Sequence, residues 1–72
     1  MKLCNRLKEI RLQSELTQEA LAGEVGVTRQ TIISIEKGGY APSVKLALQL
    51  ARALDVPLED MFWLDDSKGE ES

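Results

Sequence analysis

The chain contains no histidine. A Cys/His zinc site, an imidazole general base and a Ser-His-Asp triad are therefore excluded. A single cysteine, Cys4, cannot close an internal disulfide. With no basic or resolving partner evident beside it, Cys4 reads as a small apolar filler rather than a redox sensor. Aromatic residues are reduced to one Phe, one Trp and one Tyr, so a core has to be built from Leu, Ile, Val and Ala. Apolar runs are only a few residues long, whereas about 20 are needed to cross a bilayer, and no membrane segment is expected. No glycine-rich phosphate loop and no metal-ligand cluster is present. The reading is therefore no enzyme, no catalytic residues, no metal and no cofactor. The opening segment MKLCNRLKEIR carries charges where a secretion signal needs an apolar stretch, so a cytoplasmic protein is expected.

What remains is ordinary globular material. At 72 residues, with 43% hydrophobic and 29% charged side chains, the chain makes one small domain. The net charge is −3, but its distribution is uneven. The last eight residues, DDSKGEES, hold four acids and one lysine, which accounts for the whole excess. Residues 1–64 are neutral and read as the domain; residues 65–72 read as an acidic, disordered tail.

Short helical segments alternate with turn signals. Leu7, Ile10 and Ser14 continue a stripe from Leu3 at helical spacing, which predicts a helix over roughly 5–13. Thr17 is an N-cap for a second helix, with Leu16 and Leu21 placed as a hydrophobic staple, and Gly26 suits its C-terminal stop. Thr28 caps a third, stapled by Val27 and Ile32 and ending at Lys37 before Gly38-Gly39. After the loop Tyr40-Ala41-Pro42, Ser43 caps a longer helix, read as apolar at Val44, Ala47, Leu48, Ala51 and Leu54. Val56-Pro57 breaks it, and a short helix, LEDMF, follows. The fold class is all-α with five helices. The strand-like ends, Met1 to Cys4 and Phe62 to Leu64, can pair as a small ribbon.

The informative unit is Thr17 to Gly38, TQEALAGEVGVTRQTIISIEKG. Two helices joined by a turn of three or four residues containing glycine have the geometry of a helix-turn-helix. Ala22 permits close approach of the two helices, Gly26 permits the tight reversal, and Val27, Ile32 and Ile35 fill the wedge between them. On a wheel of about 100° per residue, Ile32 and Ile35 point inward. Gln30, Ile33, Ser34 and Lys37 then point outward, with Arg29 on one flank and Thr28 at the cap. This face is rich in donors and nearly free of acids. In the major groove, Gln pairs bidentately with adenine, Arg with guanine, and an apolar side chain meets the thymine methyl, the role open to Ile33. The plain alternative for Ile33 is a single exposed apolar residue, which is common. Gln18 opens the second helix, where free N–H groups and the dipole favour a phosphate. Lys45, near the Ser43 cap, and Lys37 are further phosphate candidates. Taken singly, each is equally a solvated surface residue.

Arg11 borders the apolar stripe of the first helix and Glu36 that of the third. Charges at such edges are rarely tolerated unpaired, so the two are expected to pair with each other. This pair also takes Glu36 out of the outward face. At the C-terminal end, Met61-Phe62-Trp63-Leu64 is too apolar for a free tail. Phe62 reads as core, and Met61, Trp63 and Leu64 as the candidate homodimer interface.

RLKEIR, LTQEALA, GVTRQTI, IEKG, Y-x-PS and LALQLARAL-DVPLEDMF stand in the order and spacing of a known family. Over Asn5 to Phe62 the sequence resembles the phage-repressor-like, Cro-type (XRE) helix-turn-helix regulators, and among them the short stand-alone members. The resemblance implies a lambda-repressor-like five-helix DNA-binding domain, a homodimer and an inverted-repeat operator in double-stranded DNA. It implies base contacts at Thr28, Arg29, Gln30, Ile33 and Ser34, a phosphate contact at Gln18, and an Arg–Glu pair at the positions of Arg11 and Glu36. Two positions depart from the family pattern. Gly23 stands in a helix interior, at a cost of about 1 kcal/mol relative to Ala, and Ile33 stands where a small polar residue is common. The expected function is sequence-specific transcriptional regulation, first as a repressor, with no separate sensor domain for a small-molecule effector. Two rivals use the same domain: an antitoxin and a restriction-modification controller. A third is a protein-interaction module that has lost DNA binding, whose sign would be acids on the outward face of the third helix.

Overall fold

The computed structural model describes residues 1–66. In chain order the elements are β1 (Lys2–Asn5), α1 (Leu7–Gln13), α2 (Gln18–Val25), α3 (Arg29–Glu36), α4 (Val44–Leu54), α5 (Leu58–Met61) and β2 (Phe62–Asp65). Over the described residues the fold is thus all-α with five helices and one two-stranded antiparallel ribbon. In the ribbon Lys2 faces Asp65, Leu3 faces Leu64, Cys4 faces Trp63 and Asn5 faces Phe62.

Each of the three central helices starts on a hydroxyl. Thr17 accepts from the Ala20 N–H at 2.9 Å, Thr28 from the Thr31 N–H at 3.3 Å, and Ser43 from the Leu46 N–H at 3.1 Å. Each of these caps satisfies an N–H that the helix leaves without a partner, typically stabilising by about 1 kcal/mol. α2 and α4 stop on left-handed residues. Gly26, at φ +74°, closes α2, and the Val27 N–H then reaches back to the Ala22 carbonyl at 3.0 Å. α4 ends differently from the sequence expectation. The reversal is made at Asp55, at φ +57°, ahead of the Val56-Pro57 break. Asp is among the few non-glycine residues that tolerate this conformation.

Leu7, Leu21, Ile32, Ile35, Leu50 and Met61 are fully buried and form the centre of the core. Leu16 and Val27, the outer members of the two staples, pack against it.

Five details of the sequence reading are corrected. α1 begins at Leu7, because Asn5 is committed to the ribbon. Its buried side is Leu7, Ile10 and Arg11, while Ser14 is an exposed C-cap. In α4 the buried arc is Leu46, Ala47, Leu50, Ala51 and Leu54, and Val44 and Leu48 are exposed at 74% and 52%. VKLALQLARAL is apolar around most of its circumference, so two adjacent arcs satisfy helical spacing and packing selects one. Met61 is fully buried and has no surface to offer a partner, since the α5 turn points it into the core. Finally, Phe62 leaves α5 to begin β2, and β2 runs through Asp65, one residue past the strand-like end read as Phe62 to Leu64. Of the stretch 65–72 read as a disordered tail, residues 67–72 lie outside the described residues.

Candidate nucleic-acid interface

α2 and α3 are joined by Gly26, Val27 and Thr28. Ala22, 3% exposed, lets the two helices close, and Ile32 and Ile35 seal the wedge between them. α3 is then held with its opposite side outward. Arg29, Gln30 and Lys37 are exposed, Ile33 and Ser34 half-buried. Thr28 is exposed, but its hydroxyl is engaged at the cap and lies 3.1 Å from the Thr31 hydroxyl.

An open groove of about 310 Å³ runs along this side, lined by Thr28, Gln30, Thr31, Ser34, Gly39 and Tyr40. It brings together three of the five side chains expected to read bases. Arg29 and Ile33 lie outside it. Thr31 and Tyr40 are additions that the sequence reading missed. Tyr40 reads from sequence only as part of a loop, and no local pattern signals that this loop folds back beside α3. The Gly39 N–H, bonded to the Ser34 carbonyl at 3.0 Å, holds it there.

Acidity on this side is removed by a buried network. Arg11 Nε donates to Glu36 Oε2 at 2.7 Å, and both side chains are nearly buried, at 7% and 5% exposure. Arg11 also donates through Nη1 to the Leu16 carbonyl at 2.8 Å, satisfying the chain between α1 and α2. Gln18 Nε2 donates to Glu36 Oε1 at 3.0 Å. A carboxylate only accepts, so the amide nitrogen must face it, and the second N–H of that –NH₂ remains for another acceptor. Gln18 is thus half-buried and tied to α3, rather than a freely solvated side chain at the start of α2. Glu36 spends its charge on these donors, and the outward side of α3 keeps Arg29 and Lys37 with no acid among them. Lys45 is exposed in the first turn of α4, behind the Ser43 cap.

A second surface is apolar. A groove of about 470 Å³ is bounded by Leu3 and Leu64 of the ribbon, Phe62, Val44 of α4, Pro42 and Leu58. Leu64 is 61% exposed and Trp63 37%. One side of the Trp63 ring is occupied by the Arg6 guanidinium, 5.1 Å from the ring centroid. Among the described residues no helix is long and apolar enough to cross a membrane.

Comparison with known proteins agrees with this architecture. The model of the helix-turn-helix family matches residues 7–61. An uncharacterized HTH-type transcriptional regulator of Bacillus subtilis, YgzD, is 48% identical over 86% of this chain and 94% of its own length. A second, MJ0272 of Methanocaldococcus jannaschii, is 52% identical over 89% of this chain and 97% of its own. Among solved structures, the restriction-modification controller protein C.AhdI of Aeromonas hydrophila superposes with a TM-score of 0.71 at 35% identity. It covers 75% of this chain, which covers 82% of it. A match across nearly the whole body, on the elements that build the α2–turn–α3 unit, decides the assignment: the chain belongs to the XRE-type helix-turn-helix family of DNA-binding transcriptional regulators.

Proposed function

We propose that the protein is a sequence-specific regulator that acts in the cytoplasm by occupying an inverted-repeat operator as a homodimer, with α3 in the major groove. Gln30, Arg29, Ser34 and Ile33 read base edges, and Thr28 approaches them from the cap. Gln18, Lys37 and Lys45 hold phosphates. The observation that carries this reading is the outward side of α3: donors and cations stand there together, and its one acid is turned inward onto Arg11 and Gln18. Gln18 has one N–H left for a phosphate beside the free N–H groups that open α2. It would bind one phosphate oxygen while anchored to α3, which couples backbone grip to the reading helix. Regulation follows by occupancy: a bound dimer over promoter elements excludes the polymerase, and so represses.

The second copy is proposed to dock on the apolar groove of the ribbon and α4. Leu3, Val44 and Leu64 expose apolar surface there, with Trp63 at the edge. One domain on one half-site makes few phosphate contacts. A two-fold pair doubles them, with half-sites about 34 Å apart. The likeness to a restriction-modification controller favours one specific variant of this reading, in which the operator lies ahead of restriction-modification genes. The outward side of α3 carries no acid, which argues against an interaction module that has lost DNA binding.

The test is selection of bound sequences from random duplexes, repeated across salt concentrations. The expected result is an inverted-repeat consensus with an affinity that falls steeply with salt, in proportion to the phosphates neutralised. Recovery of no consensus at any salt would refute the reading.

A further inference from the structure

Asn5 is the last residue of β1 and lies two residues ahead of the span 7–61 that the family model matches. Its side chain is half-buried and engaged at both ends. Oδ1 accepts from the Leu7 N–H at 3.0 Å, at the opening of α1. Nδ2 donates to the carbonyl of Ile35 at 3.0 Å, thirty residues away in the last turn of α3. In the ribbon Asn5 faces Phe62, and the next residue's N–H, that of Arg6, donates to the Met61 carbonyl at 3.0 Å. One carboxamide therefore ties the ribbon, the start of α1 and the end of α3. Arg11, from the same strand–helix unit, grips Glu36, the neighbour of Ile35. The C-terminal end of α3 is thus clamped at two consecutive residues by β1–α1, while its N-terminal end is set by the turn from α2.

This matters for a dimer on two half-sites, and the inference rests on that reading. Leu3 and Leu64, on the same ribbon, belong to the face proposed to meet the second copy. The separation of the two α3 helices is then set by whatever rigid matter lies between that face and each α3. Successive nucleotides along a strand are about 3.4 Å apart, so a comparable displacement of α3 moves its reading frame by one base pair. An α3 of eight residues is only about 12 Å long, and a shift at one end is not absorbed along it. We infer that Asn5 is a positioning residue for half-site spacing: its carboxamide carries the placement of the ribbon to the reading helix. It touches no base and no phosphate in this role.

Two variants isolate the contact. Asn5→Asp keeps an acceptor for the Leu7 N–H and puts an oxygen against the Ile35 carbonyl. Asn5→Ser keeps a short acceptor and no longer reaches Ile35, without repulsion. Each is measured, beside the wild type, against a single half-site and against operators whose half-sites are separated one base pair at a time. The wild type is expected to show one sharp optimum. Both variants should remain dimers and bind the single half-site within about twofold of wild type. Their preference for the optimal spacing over its neighbours should fall about fivefold, the scale of one lost hydrogen bond. A merely structural asparagine would lower thermal stability and weaken every duplex alike, leaving the spacing profile unchanged; that outcome in either folded variant overturns the inference. A wild type with no spacing preference overturns the operator reading instead, and this inference with it.

Discussion

Glu36 and Arg11 show how one buried residue decides what a surface presents. An acid on α3 would repel the phosphates of a duplex, yet here it lies 2.7 Å from a guanidinium and accepts from Gln18 as well. Such a pair need not add net stability, but losing one member strands the other in the core. Arg11→Ala should therefore lower unfolding free energy by about 3–5 kcal/mol, read from urea denaturation. A cost below 1 kcal/mol would mean that water reaches Glu36. Gln30 is exposed in the groove beside α3 and has a different signature. Gln30→Ala should leave stability unchanged, cost about 1–3 kcal/mol on the preferred operator, and relax base preference at one position per half-site. Uniform loss over all duplexes would assign it to the backbone instead. The Arg11–Glu36 pair and the outward placement of Gln30 were legible in the sequence, because an ion pair at the edges of two apolar stripes and a polar helix face are periodic signals. Asn5 and Tyr40 were not. Their roles depend on partners 30 residues away or on a loop folding back, and neither leaves a local trace.

The elements follow the same division. Three hydroxyl caps and the left-handed Gly26 set both limits of α2 and the starts of α3 and α4, and all of these are short-range chemistry. The buried arc of α4 was not decided locally. Its sequence offers apolar residues at Val44 and Leu48 as well as at Leu46 and Leu50, and only packing against α2 and α5 chose the second set. Within α2, Gly23 is a residual weakness. It is exposed, and a Cβ built there meets nothing within 4 Å. Gly23→Ala should stabilise the domain by about 1 kcal/mol through backbone entropy, which raises Tm by about 4–8 °C in a domain of this size. An unchanged or lowered Tm in calorimetry would contradict that account.

At the scale of the whole molecule, the arcs that α4 and the ribbon leave outside become the question. Val44, Leu48 and Leu64 are all more than half exposed, and the groove between α4 and the ribbon is lined mainly by carbon. Leu64→Lys, on the exposed strand edge, should leave the fold intact and shift the dimer equilibrium towards monomer by an order of magnitude or more, measured by sedimentation at micromolar concentration. The loss reflects about 1.5–3 kcal/mol of apolar burial per side chain. A monomeric wild type would remove this face from the account. The amino-acid sequence by itself determined five helices, the hydroxyl caps of three of them, the helix-turn-helix and the donor-rich, acid-poor side of α3, because each rests on spacing within a few residues. Tertiary structure alone decided which arc of α4 is buried, that Met61 is core rather than interface, that Gln18 is shared with Glu36, and that Asn5 bridges the ribbon to α3. Those outcomes depend on which distant surfaces meet, and a one-dimensional pattern carries the periodicity of a face but not the identity of its neighbour.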